Sequence, residues 1–385
     1  MFQPFSFGKG FGSFEEFIID AEALGLAGLG GSVSISGNGS IIAASNNANS
    51  KAQILSGRDG SIIRSINEPD PANSIFAFRV AISKDGSTLV ASDPQYPSSV
   101  GTVYVFNVAD GTLRSTVNNI NPSLATNWGS YNLEVNSDGS IVQVPVPLWT
   151  YAGGQYRGRV YQFNTSDASF EDRFGDDSDP GISDINFAFS SDMSGDGSII
   201  VSGALDYNSS AGGAYVYFKS SGIYKFVESL APSSSYNFGY AVSMSEDGTR
   251  LLISEPQNGR GKVYLYDVDD IESSFGSTAS PILTISNPNT ADGSSFGVRA
   301  KLSGDGSTIM VGDTRSKVYV FNSSDGSLRR TLTVQDLDPG YSMGTTFGYG
   351  GDIDLSYNGK RAAIGVPDYD SGSFNFYGGI FMFNV

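Results

Sequence analysis

The sequence contains neither cysteine nor histidine. Without cysteine there are no disulfides, thiolate zinc sites, iron–sulfur clusters or thiol nucleophiles. Without histidine there is no Ser-His-Asp triad, no imidazole base near neutrality and no histidine-ligated metal. Positive charge is scarce as well: 23 Lys and Arg face 40 Asp and Glu, a formal net charge of −17. The basic residues are scattered, so a phosphate backbone would be repelled and nucleic acid is not expected as a partner. No run approaches the roughly 18 apolar residues of a membrane-spanning helix. The opening residues, MFQPFSFGKGFGSFEEF, have neither a basic n-region nor an uninterrupted apolar h-region, so no Sec signal peptide is expected.

Charged residues make up only 16% of the 385, whereas aromatics reach 12%. That is too apolar for a disordered chain, and its surface must be polar through Ser, Asn, Thr and Gly. Composition hardly changes along the chain, which favours one repetitive domain over several distinct ones.

A Ser-x-Asp-Gly-Ser-like element followed by a short apolar run occurs seven times. It reads SGNGSIIAAS (36–45), SKDGSTLVAS (83–92), NSDGSIVQVP (136–145), SGDGSIIVSG (194–203), SEDGTRLLIS (245–254), SGDGSTIMVG (303–312) and SYNGKRAAIG (356–365). The anchor glycines are Gly39, Gly86, Gly139, Gly197, Gly248, Gly306 and Gly359, which are 47 to 58 residues apart. A period of that size marks stacked supersecondary units. Each unit divides into four strand-like pieces. Strand A, such as Val80-Ala81-Ile82, ends at the anchor turn, where Asp or Asn before Gly tolerates the φ > 0 of a tight hairpin. Strand B is the apolar run, strand C a Gly-x-Val-Tyr-Val-Phe pattern such as Val103-Tyr104-Val105-Phe106, and strand D follows a second turn, often Asp-Gly again. No segment carries a convincing helical period.

About ten residues before each anchor glycine stands a bulky apolar residue: Leu29, Phe76, Trp128, Phe187, Phe238, Phe296 and Phe347. Each is expected to wedge between neighbouring units. The pairs Trp128-Gly129, Phe238-Gly239, Phe296-Gly297 and Phe347-Gly348 let backbones approach closely. Four antiparallel strands repeated seven times describe an all-β, seven-bladed β-propeller. The last unit lacks strand D, and residues 14–20 (FEEFIID) have one to spare. An N-terminal strand is therefore expected to complete the last blade and remove its open edge. The domain reading is a Phe/Gly-rich arm over 1–13 and a propeller over 14–385.

Phe-Gly, then Val-x-Ser-x-Asp-Gly, an apolar strand and Gly-x-Val-Tyr-Val-Phe together resemble the FG-GAP repeat of integrin-α-like propellers. Residues 238–266, FGYAVSMSEDGTRLLISEPQNGRGKVYLY, are the best copy. The resemblance implies the fold more firmly than any activity. It also implies calcium in loops of the form Asp-x-Asp/Asn-x-Asp-Gly-x-x-Asp. Asp192-x-Ser194-x-Asp196-Gly197 matches the first half of that loop. The closing carboxylate is replaced by apolar strand B residues in all seven anchors, Ile200 in this copy and Leu251 in the next, so these read as hairpin turns. Better cation candidates are Asp177, Asp179 and Asp184 in one loop, and Asp206-x-Asn208 with Asp368-x-Asp370. No cofactor is expected, with Ca²⁺ the one candidate.

The anchors also bear on the Ser-x-Asp-x-Gly-x-x-Trp boxes of sialidases, but the spacing is one residue short and the Trp is missing. Two carboxylates would suffice for glycoside hydrolysis, and nothing singles out a pair. The reading is that the chain is not an enzyme. The A–B and many C–D turns are short and alike, whereas B–C and D–A connections are longer and varied, so one face is uniform and the other individual. The individual loops carry Tyr96, Trp149, Tyr151, Tyr156, Arg157, Tyr207, Tyr369, Phe374, Phe376 and Tyr377, a candidate contact surface. Phe2, Phe5, Phe7 and Phe11 form an arm that must dock on something, either its own propeller or a partner. The function expected is a structural or adhesive module on a virion, as a capsid or tail appendage, or on an extracellular surface. Its partners would be other virion or surface proteins, a host glycan or a receptor. A bacterial cell-surface adhesin is the alternative, and a carbohydrate-active enzyme the third.

Overall fold

Each repeat is organised from its anchor turn outward. The computed structural model describes residues 15–70, 75–97, 100–120, 128–147, 158–175, 186–228, 236–273, 279–289, 294–341, 346–370 and 377–385. In the fourth copy Asp196 Oδ1 accepts the Ser198 N–H at 2.9 Å and the hydroxyls of Ser194 and Ser198 at 2.6 and 2.7 Å. Ser194 Oγ in turn accepts the Ile199 N–H at 3.0 Å. The same arrangement recurs around Asp85, Asp247 and Asp305, and Asn38 and Asn358 take the aspartate's part in the first and last copies. One short motif thus satisfies the polar groups of a tight turn locally, which is the physical reason it repeats.

Seven four-stranded antiparallel sheets result. In the fifth blade strands A to D are Val242–Met244, Arg250–Glu255, Lys262–Asp267 and Leu283–Ser286. Strand A of the other blades is Leu29–Ile35, Val80–Ile82, Glu134–Val135, Phe187–Met193, Phe296–Leu302 and Ile353–Leu355. Seven hydrophobic clusters fill the seven spaces between adjacent blades. Each wedge residue sits in one of them, at most 1% exposed. Phe238 lies 5.6 Å from the Tyr264 ring of its own strand C, and Phe296 lies 5.7 Å from Tyr319. The residue after the wedge has positive φ in every blade, including Ala77 and Ala188. Left-handed backbone, in addition to close approach, therefore accounts for the glycines there.

The closing strand is present. Phe17–Asp20 pairs antiparallel with Gly379–Asn384, in the register Phe17↔Met382 to Asp20↔Gly379. Arg361, itself buried, ties this joint together: it donates to Glu15 O at 2.9 Å, Asn384 Oδ1 at 3.0 Å and Gly57 O at 2.7 Å. Arg330 bonds the Glu16 carboxylate, which also accepts the Asn384 N–H at 2.9 Å. The expected Phe14 start and the 1–13 arm, with Phe2, Phe5, Phe7 and Phe11, lie outside the described residues.

Among the described residues two short α-helices depart from the all-strand expectation, beside two single 3₁₀ turns at Asn47–Asn49 and Val334–Asp336. Tyr207–Ser210 lies in a B–C loop, and Val268–Ser273 follows strand C of the fifth blade. The second makes that C–D connection long, so the uniform face has one exception. Val268 and Ile271 are buried between the fourth and fifth blades, which holds the helix in place.

Candidate functional site

Strand A of every blade faces a central channel, and its residues form levels counted back from the anchor glycine. Two residues back stand Gly37, Lys84, Ser137, Gly195, Glu246, Gly304 and Tyr357. Here the blades are joined by backbone hydrogen bonds. Gly37 N–H donates to Lys84 O, Asp85 to Ser137, Ser137 to Gly195, Gly195 to Glu246, Glu246 to Gly304, Asp305 to Tyr357 and Tyr357 to Gly37, all at 2.7–3.0 Å. The seventh bond returns to the first blade, so the circuit is closed. At this end the channel narrows to about 20 Å³.

Five residues back stand Ser34, Ala81, Glu134, Asp192, Ser243, Lys301 and Asp354. Several reach forward to cap strand A of the next blade. Asp354 Oδ2 accepts Ile35 N–H at 2.9 Å and Asp192 Oδ2 accepts Met244 N–H at 2.9 Å. Ser34 and Ser243 accept the N–H groups of Ile82 and Leu302 at 3.3 and 3.2 Å. Lys301 crosses the channel, with its Nζ 3.4 Å from Glu134 and 3.7 Å from Asp192, while Lys84 Nζ is 3.7 Å from Asp354. Burial pushes the Glu134 carboxyl up to about 7 against the pull of Lys301, with Asp192 and Asp354 adding repulsion. Asp354 goes the other way: its burial is outweighed by Lys84, Lys301 and the Ile35 and Leu355 N–H groups, which hold it below the usual range. Carboxylates fully engaged in this way define the ring's geometry rather than wait for a ligand.

Above this level the channel widens into a funnel of about 310 Å³. Tyr131, Phe189 and Tyr240, each eight residues before an anchor glycine, form an arc over three successive blades; ring centroids are 6.2 and 5.3 Å apart. The corresponding residues of the other blades are Phe78, in the second blade beside the arc, and Val298, Gly351 and Gly31 across from it. One level deeper, Arg79 reaches past Ser32 of the first blade to Asp352, 3.5 Å away, and Arg299 Nε donates to Gly351 O at 3.2 Å. The mouth is therefore aromatic on one side, small on the other and polar beneath.

The expected aromatic surface is redistributed. Tyr369 is 4% exposed, with its ring stacked 5.2 Å from Tyr341 and its hydroxyl donating to Asp338 Oδ2 at 3.0 Å. It is a packing residue and leaves the contact surface. Tyr96 is half-buried and its hydroxyl bonds Asp70. Tyr207 and Tyr377, also half-buried, pack against inter-blade clusters. Trp149, Tyr151, Tyr156, Arg157, Phe374 and Phe376 lie outside the described residues, as do Asp177, Asp179 and Asp184. Asp206 accepts from Asn186 Nδ2 at 2.6 Å, and Asp368 accepts from the Thr346 N–H and hydroxyl. Among the described residues no group of three or more Asp or Glu is placed to hold a metal. The funnel residues were not foreseen; aromatics at a fixed eight-residue offset from the anchors were the signal.

No family model matches the chain, and neither does any curated protein. Solved structures do. The β-propeller domain of Cps50 (Swd1) from Myceliophteria thermophila aligns over 92% of this chain and 97% of its own, with TM-score 0.61 and 12% identity. At that identity the likeness shows the architecture alone: a ring of seven blades, without the FG-GAP kinship and without a function.

Proposed function

We propose that the chain is a non-catalytic recognition module exposed on an extracellular surface, as a capsid or tail appendage of a phage virion. The observation that carries this reading is the contrast between the two ends of the channel. One end spends its polar groups on its own turns and inter-blade bonds, and the other opens into a funnel whose lining differs from blade to blade. An acidic surface rich in Ser, Asn and Gly, free of Cys, supports exposure outside cells. The FG-GAP-like pattern at 238–266 supports adhesion, and the phenylalanine-rich arm supports attachment to another virion or surface protein. Genes for capsid and tail proteins beside this one are expected; a secretion system there would favour the bacterial adhesin.

A second reading, a carbohydrate-active enzyme, draws on Glu134, because a carboxyl held near neutrality inside a cavity is a candidate acid. Its engagement with Lys301 and with Asn132, 2.8 Å away, argues for a structural network instead. Incubation of the intact chain with an oligosaccharide panel decides between them. Binding without release of reducing ends is expected, and turnover abolished by Glu134→Gln would overturn the non-catalytic reading.

A further inference from the structure

We infer that the funnel mouth is a binding site for a neutral saccharide, one or two sugar rings lying against the arc of Tyr131, Phe189 and Tyr240. The inference rests on the recognition-module reading and adds a site and a ligand class to it.

The first argument is shape. A funnel of about 310 Å³ falls at the small end of ligand pockets, and below it only about 20 Å³ remains between the Glu134–Lys301 level and the seven-bond circuit. A ligand must enter and leave by the aromatic side. The second argument is the asymmetry of that side. The three half-buried rings look across to Gly351 and Gly31 at the same offset, with Val298 in the sixth blade between, so an object with one apolar face can lie on the arc without meeting bulk opposite. The C–H face of a pyranose is such an object, and its hydroxyls would point to Arg79, Asp352, Asn132 and Arg299 below.

Charge supplies the third argument. Three cationic side chains (Arg79, Arg299, Lys301) and three anionic ones (Glu134, Asp352, Asp354) line the funnel. An ionic ligand would meet as much opposition as attraction, whereas hydroxyls, which both donate and accept, suit a balanced set of donors and acceptors. The fourth argument excludes an extended peptide. Such a ligand would add to the inner edge of a blade. Those edges are already engaged. In the first, second, fifth and sixth blades side chains cap strand A N–H groups, as Ser32 Oγ does for Val80 at 3.2 Å. In the third, fourth and seventh blades Arg79, Asn132 and Arg299 donate to the carbonyls of Ser130, Ser191 and Gly351 at 3.4, 3.2 and 3.2 Å.

The test uses the full chain on a glycan array that includes neutral and sialylated oligosaccharides, with peptide arrays in parallel. Saturation-transfer NMR follows on the best neutral ligand. Binding of a neutral glycan is expected, with saturation reaching its ring C–H protons. Tyr240→Ala should weaken binding at least tenfold. Because Tyr240 is half-buried, Val298→Trp serves as a second variant that fills the mouth from the neighbouring sixth blade, and it should weaken binding comparably. A melting temperature within a few degrees of the parent confirms that each variant is folded. Binding unchanged by both variants, preference for sialylated or peptide ligands, or no glycan binding at all would overturn the inference. Peptide binding lost on mouth substitution would leave the recognition-module reading intact, and hydrolysis would sink that reading separately.

Discussion

The two ends of the channel are built from the same seven strands, yet they obey different rules. At the anchor end the residues three, one and zero positions back vary little: Ser or Asn, then Asp or Asn, then Gly in every copy. Each turn solves the same local problem, and the backbone circuit from Gly37 round to Tyr357 adds one link per blade, donated two residues before the anchor glycine in five blades and one residue before it, by Asp85 and Asp305, in the other two. At the mouth the equivalent positions carry Gly31, Phe78, Tyr131, Phe189, Tyr240, Val298 and Gly351. Repetition is retained where it satisfies backbone groups and abandoned where side chains face open space. That division separates what holds the ring from what the ring presents.

The anchor end should behave as one cooperative unit, and opening the ring at any joint tests this most severely. Deleting residues 1–20 removes the partner of Gly379–Asn384, leaves an unpaired row of backbone groups and strips Arg361 and Arg330 of Glu15 and Glu16. Ile19, 3% exposed, is lost from the core as well. A loss of several kcal/mol is expected, against a total of roughly 5–15 for a domain of ordinary stability. Deleting residues 1–12 should leave the melt nearly unchanged. Urea denaturation of both truncations checks the contrast; a 1–20 deletion as stable as the parent would mean that the joint contributes nothing to closure.

A smaller effect is expected from the middle of the channel, where the two regimes meet. Glu134 titrates near 7 in the fold, against an ordinary value of 4.5, because burial disfavours its charge; Lys301, Asp192, Asp354 and Lys84 are the charged groups around it. The folded state therefore holds this proton more tightly than the unfolded chain. Its contribution to stability is fully present below about 4.5 and is lost as the pH rises through about 7. Asp354 and the turn residues Asp85, Asp196, Asp247 and Asp305 are held below 3.8, so their contribution is present above that value and is lost in acid. Between pH 5 and 8 the Glu134 contribution is the one that changes, by on the order of 1–3 kcal/mol. Melts at pH 5 and pH 8 should show the parent losing stability while Glu134→Gln loses less. Identical slopes would show that the carboxyl is charged throughout this range.

The same division explains what was legible in the sequence. Anchor turns, strand order, inter-blade wedges and the closing strand all depend on local spacing, so the seven copies declare them. The funnel arc does not. Phe187 and Phe189 are two apart, and plain strand alternation would put both on one face. A register shift between Phe187 and Ser191, with Ala188 at φ 69°, sends the first into the inter-blade core and the second to the mouth. Similar shifts separate Leu29 from Val33 and Phe296 from Arg299. Among the loop aromatics Tyr369 in particular turns inward, since a tyrosine close behind strand B can fold inward as easily as outward. The Lys301–Glu134 bridge joins the sixth blade to the third, a contact that only the closed ring creates.

The smallest expected effect concerns calcium, and it probes the anchor end where the FG-GAP resemblance would lead one to look. An anchor aspartate that ligated Ca²⁺ would have to direct its oxygens at the ion and give up the turn's own donors. In the fifth copy Asp247 Oδ1 instead accepts Ser245 Oγ at 2.6 Å, Thr249 N–H at 3.0 Å and Thr249 Oγ1 at 2.9 Å. The position three residues past the glycine is Leu251, fully buried in strand B and unable to supply the bidentate carboxylate such a loop requires. A stabilising ligand at 100 times its Kd would add about 2.7 kcal/mol and raise the melting temperature by several degrees. Melts in EDTA and in millimolar Ca²⁺ should instead agree within about a degree, by the same relation for a ligand well below its Kd. A rise of several degrees with calcium, abolished by Asp247→Ala, would show that the turn opens to take an ion; one that survives that change would assign the ion to another loop.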